Sequence, residues 1–138
     1  MILFYGTGDH AYLSNFHYAP FEADGLLWPT VEHYFQAKKA ISSSEWVKFS
    51  KLEAPWEAKL LGKSIQLRPD WESVKIKVMK DALRYKFTQH TDLREKLLAT
   101  GDEVLHEDSP TDKVWGWRNN GLDLLGKCLM EIRQELRQ

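Results

Sequence analysis

The stretch WPTVEHYFQAKKA, residues 28–40, contains an acid, an amide and an amine at a spacing that would let them act on one ligand. Glu32, Gln36 and Lys39 stand at i, i+4 and i+7, so on a helix they project within about 40° of one another. A carboxylate can move a proton or stabilise a cation, and an amine can bind an anion or attack a carbonyl. The same stripe also suits the solvated face of an ordinary helix, so spacing alone leaves both interpretations open.

Two further segments could bring matching groups to this helix. Residues 13–16, LSNF, and residues 109–117, SPTDKVWGW, each combine an aromatic ring with short polar side chains. Rings stack on bases, and short polar groups hydrogen-bond a ribose, so these segments favour a nucleotide-like ligand. Trp28 and Trp71 offer two more rings, although a tryptophan serves core packing as readily, and for Trp71 the two roles are equally supported.

The elements that must position these groups are mostly helices. Thr30 is a plausible N-cap for the first helix, on which Val31, Tyr34 and Phe35 form a core-facing stripe. Apolar spacing and capping residues predict five more helices. These cover SSSEWVKFSKL, APWEAKLLGK with Gly62 as its C-terminal stop, Trp71–Phe87, TDLREKLLATG and Leu122–Leu136. Short strands are predicted at ILFY and LLW, and residues 101–121 are predicted to form a polar loop. The sequence therefore predicts a mainly α fold with a few short strands, in one domain spanning residues 1–138.

Composition narrows the class of protein. A chain of 138 residues can bury a core of its own, and its net charge of −1 gives no basic field for a long nucleic-acid backbone. The lone cysteine, Cys128, excludes an intramolecular disulfide. With no apolar run of membrane-spanning length and no signal-peptide pattern, a soluble cytoplasmic protein is expected. The histidines show no ligand spacing, so neither a metal nor another cofactor is expected.

The sequence resembles the NADAR family, also called YbiA-like, nearly from end to end. The resemblance rests on four segments in the same order and with similar spacing as in the family. They are LSNF…PF…G…WPTVEHYFQAKK, GKS…LRPDWESVKIKVMKDALRYKF, LREKLLATGDEVLHEDSPTDKVWG and LLGKCLMEIR. One departure is WRNNGLDLLG, which is compressed relative to many members and has Asp123 where an asparagine would fall.

The resemblance implies N-glycosidase activity on a ribosyl compound. The leading expectation is removal of ADP-ribose from ADP-ribosylated guanine in DNA or RNA, with a functional pairing to an ADP-ribosyltransferase toxin. The alternative is hydrolysis of a phosphorylated riboflavin-biosynthesis intermediate, in which case the ligand is a small ribosyl phosphate. Two hypotheses in which the protein is not an enzyme are a non-catalytic ADP-ribose-binding module and a protein that binds a partner through the Leu122–Leu136 stripe.

The resemblance also implies which residues form the site. The family's acid, lysine and loop aspartate fall on Glu32, Lys39 and Asp112. The residues implied to bind substrate are Ser14, Asn15, Phe16, Trp28, His33, Gln36, Trp71, Trp115 and Gly116. Glu32 would stabilise the sugar cation or act in acid–base catalysis, whereas Lys39 would form a Schiff base with ribose C1 or act without a covalent bond. A Schiff base requires a lowered lysine pKa, which burial would have to supply because Glu32 opposes it.

Overall fold

The computed structural model describes residues 1–138 and contains six helices and four short strands. The prediction of a mainly α fold is therefore confirmed. The helices are α1 (Val31–Ala37), α2 (Ser43–Ser50), α3 (Pro55–Gly62), α4 (Trp71–Gln89), α5 (Thr91–Ala99) and α6 (Leu124–Leu136). The strands are β1 (Ile2–Phe4), β2 (Phe21–Ala23), β3 (Leu26–Trp28) and β4 (Leu105–Glu107). No helix is both long and apolar enough to cross a membrane.

The strands form two separate pairs. β2 and β3 make an antiparallel hairpin around Asp24 and Gly25, both of which have positive φ angles as a tight turn requires. β1 pairs in parallel with β4, and Phe4 lies opposite Glu107. The strands predicted at ILFY and LLW are confirmed as β1 and β3. The prediction of a continuous polar loop over residues 101–121 is wrong at β4, because that strand forms only through a partner about a hundred residues away.

Helix α1 lies at the centre of the fold, packed against α2, α3 and α4. Thr30 caps it as predicted, and its side chain accepts a hydrogen bond from the backbone N–H of His33. All seven residues of α1 are buried, including its polar ones. The Glu32–Gln36 stripe is therefore not a solvated face. The helix ends at Ala37, and Lys39 follows in a tight turn in which its N–H donates to the carbonyl of Gln36.

The close packing of α3 on α1 depends on Gly62. This glycine is the last residue of α3, and its φ is not positive. A Cβ atom there would lie 2.0 Å from Oε1 of Gln36. The prediction that this helix stops at Gly62 is confirmed, and the glycine also permits the close approach of α3 to α1.

One cluster of 27 buried apolar residues forms the core, and α6 contributes to it from the C-terminal end. Leu125, Leu129, Ile132 and Leu136 of the predicted stripe are buried in this cluster. Leu122 lies before the helix and is exposed. The stripe is therefore occupied by packing within the chain, which removes the main support for a partner-binding role.

A buried lysine anchors the segment that precedes α1. Lys86 of α4 is 1% exposed, and its Nζ donates to the carbonyl oxygens of Tyr12 and Ser14 at 2.5 and 3.1 Å. Burial lowers the pKa of Lys86 to about 7. These two bonds hold the start of the LSNF segment against α4, so that the following residues face α1.

Candidate functional site

A cavity of about 380 Å³ opens between the LSNF segment, α1, α3 and the loop that follows β4. Cavities of this size commonly hold small ligands. Eight of the twelve residues predicted for the site line it, and they come from segments far apart in the chain. They are Ser14, Asn15, Phe16, Glu32, Gln36, Lys39, Asp112 and Trp115.

Trp28 and His33 do not line the cavity. Trp28 is fully buried, donates from Nε1 to the carbonyl of Ala23 at 2.9 Å, and packs edge-on against Tyr34. The His33 ring is also buried, with Nδ1 2.8 Å from Thr30 Oγ1 and Nε2 2.9 Å from the carbonyl of Leu52. All the polar side-chain atoms of both residues are engaged within the protein, where they tie β3 to β2 and α1 to the segment after α2.

Trp71 and Gly116 lie one layer behind the cavity wall. The rings of Trp71 and Trp115 pack edge-on against Phe35, with centroids 5.1 and 5.2 Å away. Trp71 therefore supports Phe35, which does line the cavity. A Cβ at Gly116 would lie 2.4 Å from the Asp112 carbonyl and 2.7 Å from Glu107 Oε2. The glycine thus lets the loop fold back closely enough to bring both acids to the cavity.

Glu32 is a buried acid in the centre of this wall. Its side chain is only slightly exposed, and Oε2 accepts a hydrogen bond from Gln36 Nε2 at 2.7 Å. Its backbone N–H donates to the carbonyl of Asn15, which ties α1 to the LSNF segment. Burial raises the pKa of Glu32, while the Gln36 bond and the charges of Lys59 and Lys39 lower it. The carboxyl can therefore exchange a proton nearer to neutrality than an exposed glutamate.

Lys39 lies beside the same cavity with its amine free of ion pairs. Nζ stands 5.7 Å from the Phe35 ring centroid and 6.0 Å from that of Trp71, and no carboxylate lies within ion-pair distance. Burial is the largest cause of its lowered pKa, and the charges of Lys59 and Lys63 add to the effect while Glu32 opposes it. A lowered pKa increases the fraction of neutral, nucleophilic amine.

Asp112 is fixed by its own loop. Oδ1 accepts from the backbone N–H groups of Val114 and Trp115 at 3.0 and 2.9 Å, and its own N–H donates to Ser109 Oγ. Oδ2 makes no hydrogen bond within the protein. This arrangement holds a carboxylate rigidly at the cavity with one oxygen available to a ligand.

Glu107 is a cavity acid that sequence reasoning missed as a site residue. It ends β4, and Oε2 accepts from the N–H of Ser109 at 3.2 Å. Burial and the charge of Asp112 raise its pKa to about 7, although the Ser109 bond and the Lys59 charge act against them. Glu107 is the glutamate of LHE, within one of the four segments that resemble the family, and that position could have marked it as a site residue. The other unpredicted lining residues are Tyr5, Gly6, Phe35, Lys59, Lys63, Met79, Ser109 and Leu125.

Two acceptors at the cavity have no donor in the protein. Asn15 Oδ1 and Gln36 Oε1 are buried and make no hydrogen bond. Gln36 Oε1 packs against Gly62, so Asn15 is the residue whose unpaired oxygen suits a hydroxyl or amide donor of a ligand. A sugar supplies hydroxyl donors of this kind. The structure contains no group of three His, Cys, Asp or Glu side chains arranged to hold a metal ion.

The fold and the cavity, with its three acids and its half-buried amine, define a single-domain protein equipped for acid–base and nucleophilic chemistry on a small polar ligand. The chain belongs to the NADAR family, because residues 3–137 match the NADAR domain. The prediction of family membership is thereby confirmed.

Two relatives named as N-glycosidases are similar to almost the whole chain. An N-glycosidase of Nostoc punctiforme is 45% identical over 90% of this chain and 84% of its own length. The N-glycosidase YbiA of Escherichia coli is 43% identical over 99% of this chain and 88% of its own. Its solved NMR structure has a TM-score of 0.90 at 42% identity, covering 99% of this chain and 84% of that one. These relatives confirm the prediction of an enzyme that hydrolyses glycosidic bonds.

Another relative is a larger protein, and this chain is similar to only part of it. A riboflavin biosynthesis protein of Vibrio vulnificus is 37% identical over 99% of this chain and 39% of its own length. The same domain thus occurs in proteins named for riboflavin synthesis.

Replacing Gly62 with Ala is expected to lower kcat, even though alanine favours a helix over glycine by about 1 kcal/mol. The new Cβ would meet Gln36 Oε1, so the amide must move and release Glu32. Because that bond lowers the pKa of Glu32, its loss should raise this pKa further and shift the acidic limb of the pH–rate profile upward. The measurement is kcat/KM against pH, together with urea unfolding.

Gln36→Ala in the Gly62→Ala background is the control, since it removes the clash. The double variant should recover stability relative to Gly62→Ala, but the pKa of Glu32 should stay above its wild-type value because the Gln36 bond is absent. Unchanged stability and an unchanged pH profile in Gly62→Ala alone would contradict the role given to this contact.

Proposed function

We propose that this protein is an N-glycosidase that removes ADP-ribose from ADP-ribosylated guanine in nucleic acid. The observation that carries the proposal is the meeting of Glu32, Lys39 and Asp112 in one cavity, together with relatives named N-glycosidase. Glu32 lies in the first turn of the central helix, Lys39 lies just after its end, and Asp112 lies in a loop more than seventy positions later. Packing of the core alone does not require two acids and an amine at one opening.

The reaction breaks the bond between ribose C1 and a nitrogen of the base. The bonding electrons leave with the base, and C1 gains positive charge that is shared with the ring oxygen. Glu32, when ionised, stabilises this cation or takes a proton from the water that adds to C1. The products are the free base, protonated at the nitrogen that left, and ADP-ribose with a hydroxyl at C1.

Departure of the base needs a proton donor, and the carboxyl group of Glu107 can supply the proton. Its pKa of about 7 leaves a substantial protonated fraction near neutral pH. Glu32 and Glu107 lie on elements far apart in sequence, and both line the same cavity. We assign the proton to Glu107 and cation stabilisation to Glu32, with Asp112 holding a ribose hydroxyl through its free Oδ2.

The dimensions and charge of the protein support a substrate that enters one nucleotide at a time. The cavity of about 380 Å³ has room for a sugar and part of its base, not for a duplex. A net charge of −1 gives little general attraction to a phosphate backbone. A modified nucleotide extruded from DNA or RNA needs only local contacts. An ADP-ribosyltransferase toxin, as functional partner, would supply the modified base.

The second candidate is hydrolysis of a phosphorylated riboflavin-biosynthesis intermediate. It is favoured by the Vibrio vulnificus relative, whose name refers to riboflavin synthesis and which contains a region similar to this whole chain. The same groups would act, because an N-glycosidic bond to a ribosyl phosphate is again the bond that breaks.

Incubation with ADP-ribosylated guanosine and, separately, with the riboflavin intermediate tests the proposal. We expect mass spectrometry to detect free guanine and ADP-ribose from the first substrate. Cleavage of the second alone would support the second candidate. Titration calorimetry with ADP-ribose would complete the test, since binding without cleavage of either substrate would identify a non-catalytic ADP-ribose-binding module instead.

A further inference from the structure

Two lysines, Lys59 in α3 and Lys63 directly after its last residue, line the cavity without any partner in the protein; they are called the α3 lysines below. Lys59 and Lys63 stand four positions apart, so they project from the same side of the helix. Both side chains reach the cavity and are exposed, and neither makes an ion pair or a hydrogen bond. By contrast, Lys38, Lys48 and Lys75 each pair with a nearby carboxylate.

The charges of the cavity are divided between two sides. The acids lie on α1, at the end of β4 and in the loop that follows it, whereas Lys59 lies in α3 and Lys63 directly after it. Lys39, just after α1, is the one lining cation on the side of the acids. The α3 lysines are close enough to affect the reacting groups. Lys59 lowers the pKa of Glu32, Glu107 and Lys39, and Lys63 lowers that of Lys39 as well.

This division fixes the orientation of an anionic sugar. Carboxylates repel a phosphate but accept hydrogen bonds from ribose hydroxyls, while ammonium groups attract the phosphate. A ribosyl phosphate therefore places its phosphate against α3 and its hydroxyls against the acids. In that orientation C1 faces Glu32 and Lys39, which is where the proposed chemistry needs it.

We propose that Lys59 and Lys63 form a phosphate-binding subsite that selects ribosyl substrates with a phosphate ester on the sugar. The inference rests on the proposed function for the identity of the sugar, and it deepens that function by naming the part of the substrate that α3 recognises. A diphosphate, as in ADP-ribose, and a monophosphate, as in the riboflavin intermediate, share this chemistry. An unphosphorylated riboside lacks it.

The test that does not depend on cleavage is titration of the protein with ribose 5-phosphate and with ribose. Ribose 5-phosphate should bind the wild type more tightly than ribose. Lys59→Gln/Lys63→Gln should weaken ribose 5-phosphate binding by ~10-fold or more, because two charge-assisted contacts are lost. Lys48→Gln/Lys51→Gln, in α2 and directly after it, removes the same charge away from the cavity and should leave the affinity unchanged. Equal affinity of ribose 5-phosphate for the wild type and the α3 variant would overturn the subsite.

The second readout is the ratio of kcat/KM for a phosphorylated substrate to kcat/KM for its phosphatase-treated counterpart. We expect this ratio to fall by ~10-fold or more in the α3 variant and to stay constant in the α2 control. An unchanged ratio would count against the subsite. If the wild type cleaves neither candidate substrate yet binds ribose 5-phosphate through the α3 lysines, the proposed function fails and the subsite stands. If it cleaves substrate without preference for the phosphate, the subsite fails and the function stands.

Discussion

Replacing Glu32 with Gln is expected to lower kcat on the cleaved substrate by ~10²-fold or more, the usual effect of losing a positioned acid–base group. The substitution keeps the size and shape of the side chain but removes its charge. Gln36 can still donate to the new amide oxygen, so the wall of the cavity should keep its form. Substrate binding should change less than turnover, because the charge is needed mainly when C1 becomes cationic.

The pH profile gives this prediction a second readout. Burial raises the pKa of Glu32, so the wild type should lose kcat/KM as the pH falls through a value above the ordinary glutamate range. Glu32→Gln should lack this acidic limb. Glu53→Gln, an exposed glutamate outside the cavity, is the matched control and should keep both the rate and the limb. A Glu32→Gln enzyme with wild-type turnover would remove Glu32 from the mechanism.

Stability measurements separate a chemical defect from a folding defect. A buried acid with a raised pKa stabilises the folded state at low pH, and this contribution is lost as the pH rises from the unfolded pKa through the folded one. At neutral pH the wild type therefore carries the cost of a buried carboxylate, and Glu32→Gln does not. We expect the variant to be at least as stable to urea at pH 7 as the wild type, so lower activity would not reflect unfolding.

The helices and their caps were predictable because their signals are local. Thr30 predicts the start of α1, and apolar spacing predicts the bounds of α4 and α6 to within a residue or two of those observed. The Glu32–Gln36–Lys39 stripe also keeps its geometry, although the helix ends before Lys39. A tight turn continues the helical direction far enough to place the amine at the cavity.

Other parts of the site depend on which elements pack together, and no local pattern encodes that. Glu107 reaches the cavity only because β4 pairs with β1 at the opposite end of the chain. In the sequence, the spacing of Lys59 and Lys63 fits an ordinary solvated helix face. They reach the cavity only because Gly62 allows α3 to pack closely against α1. Trp28 has the ring expected of a binding residue, but its contacts with Ala23 and Tyr34 place it in the core.

Replacing Lys39 with Ala is expected to lower kcat by ~10²-fold or more, as for other positioned nucleophilic or acid–base groups. Lys39→Arg is the matched control, because arginine keeps the positive charge but cannot form an imine with an aldehyde. If Lys39 acts only as a cation, arginine should restore much of the activity. We expect Lys39→Arg to be as impaired as Lys39→Ala, since the burial that lowers the pKa of Lys39 makes a better nucleophile and a poorer cation.

An imine between Lys39 and ribose C1 would establish the nucleophilic role of this amine, and it can be observed directly. ADP-ribose opens at C1 to an aldehyde, and the neutral Lys39 amine adds to it with loss of water to give an imine. Borohydride then delivers hydride to the imine carbon and leaves a stable secondary amine. Intact-mass spectra after borohydride treatment with ADP-ribose should therefore show one adduct on the wild type and none on Lys39→Ala or Lys39→Arg.

The pH dependence of this trapping distinguishes Lys39 from the surface lysines. Only the neutral amine reacts, so adduct yield should rise with pH through the lowered pKa of Lys39, below the range in which an exposed lysine loses its proton. The diphosphate of ADP-ribose and inorganic phosphate would compete for Lys59 and Lys63. Added inorganic phosphate should thus lower the adduct yield in the wild type, with a smaller effect in Lys59→Gln/Lys63→Gln. An adduct that persists in Lys39→Ala would assign the reaction to another lysine and leave Lys39 a non-covalent role.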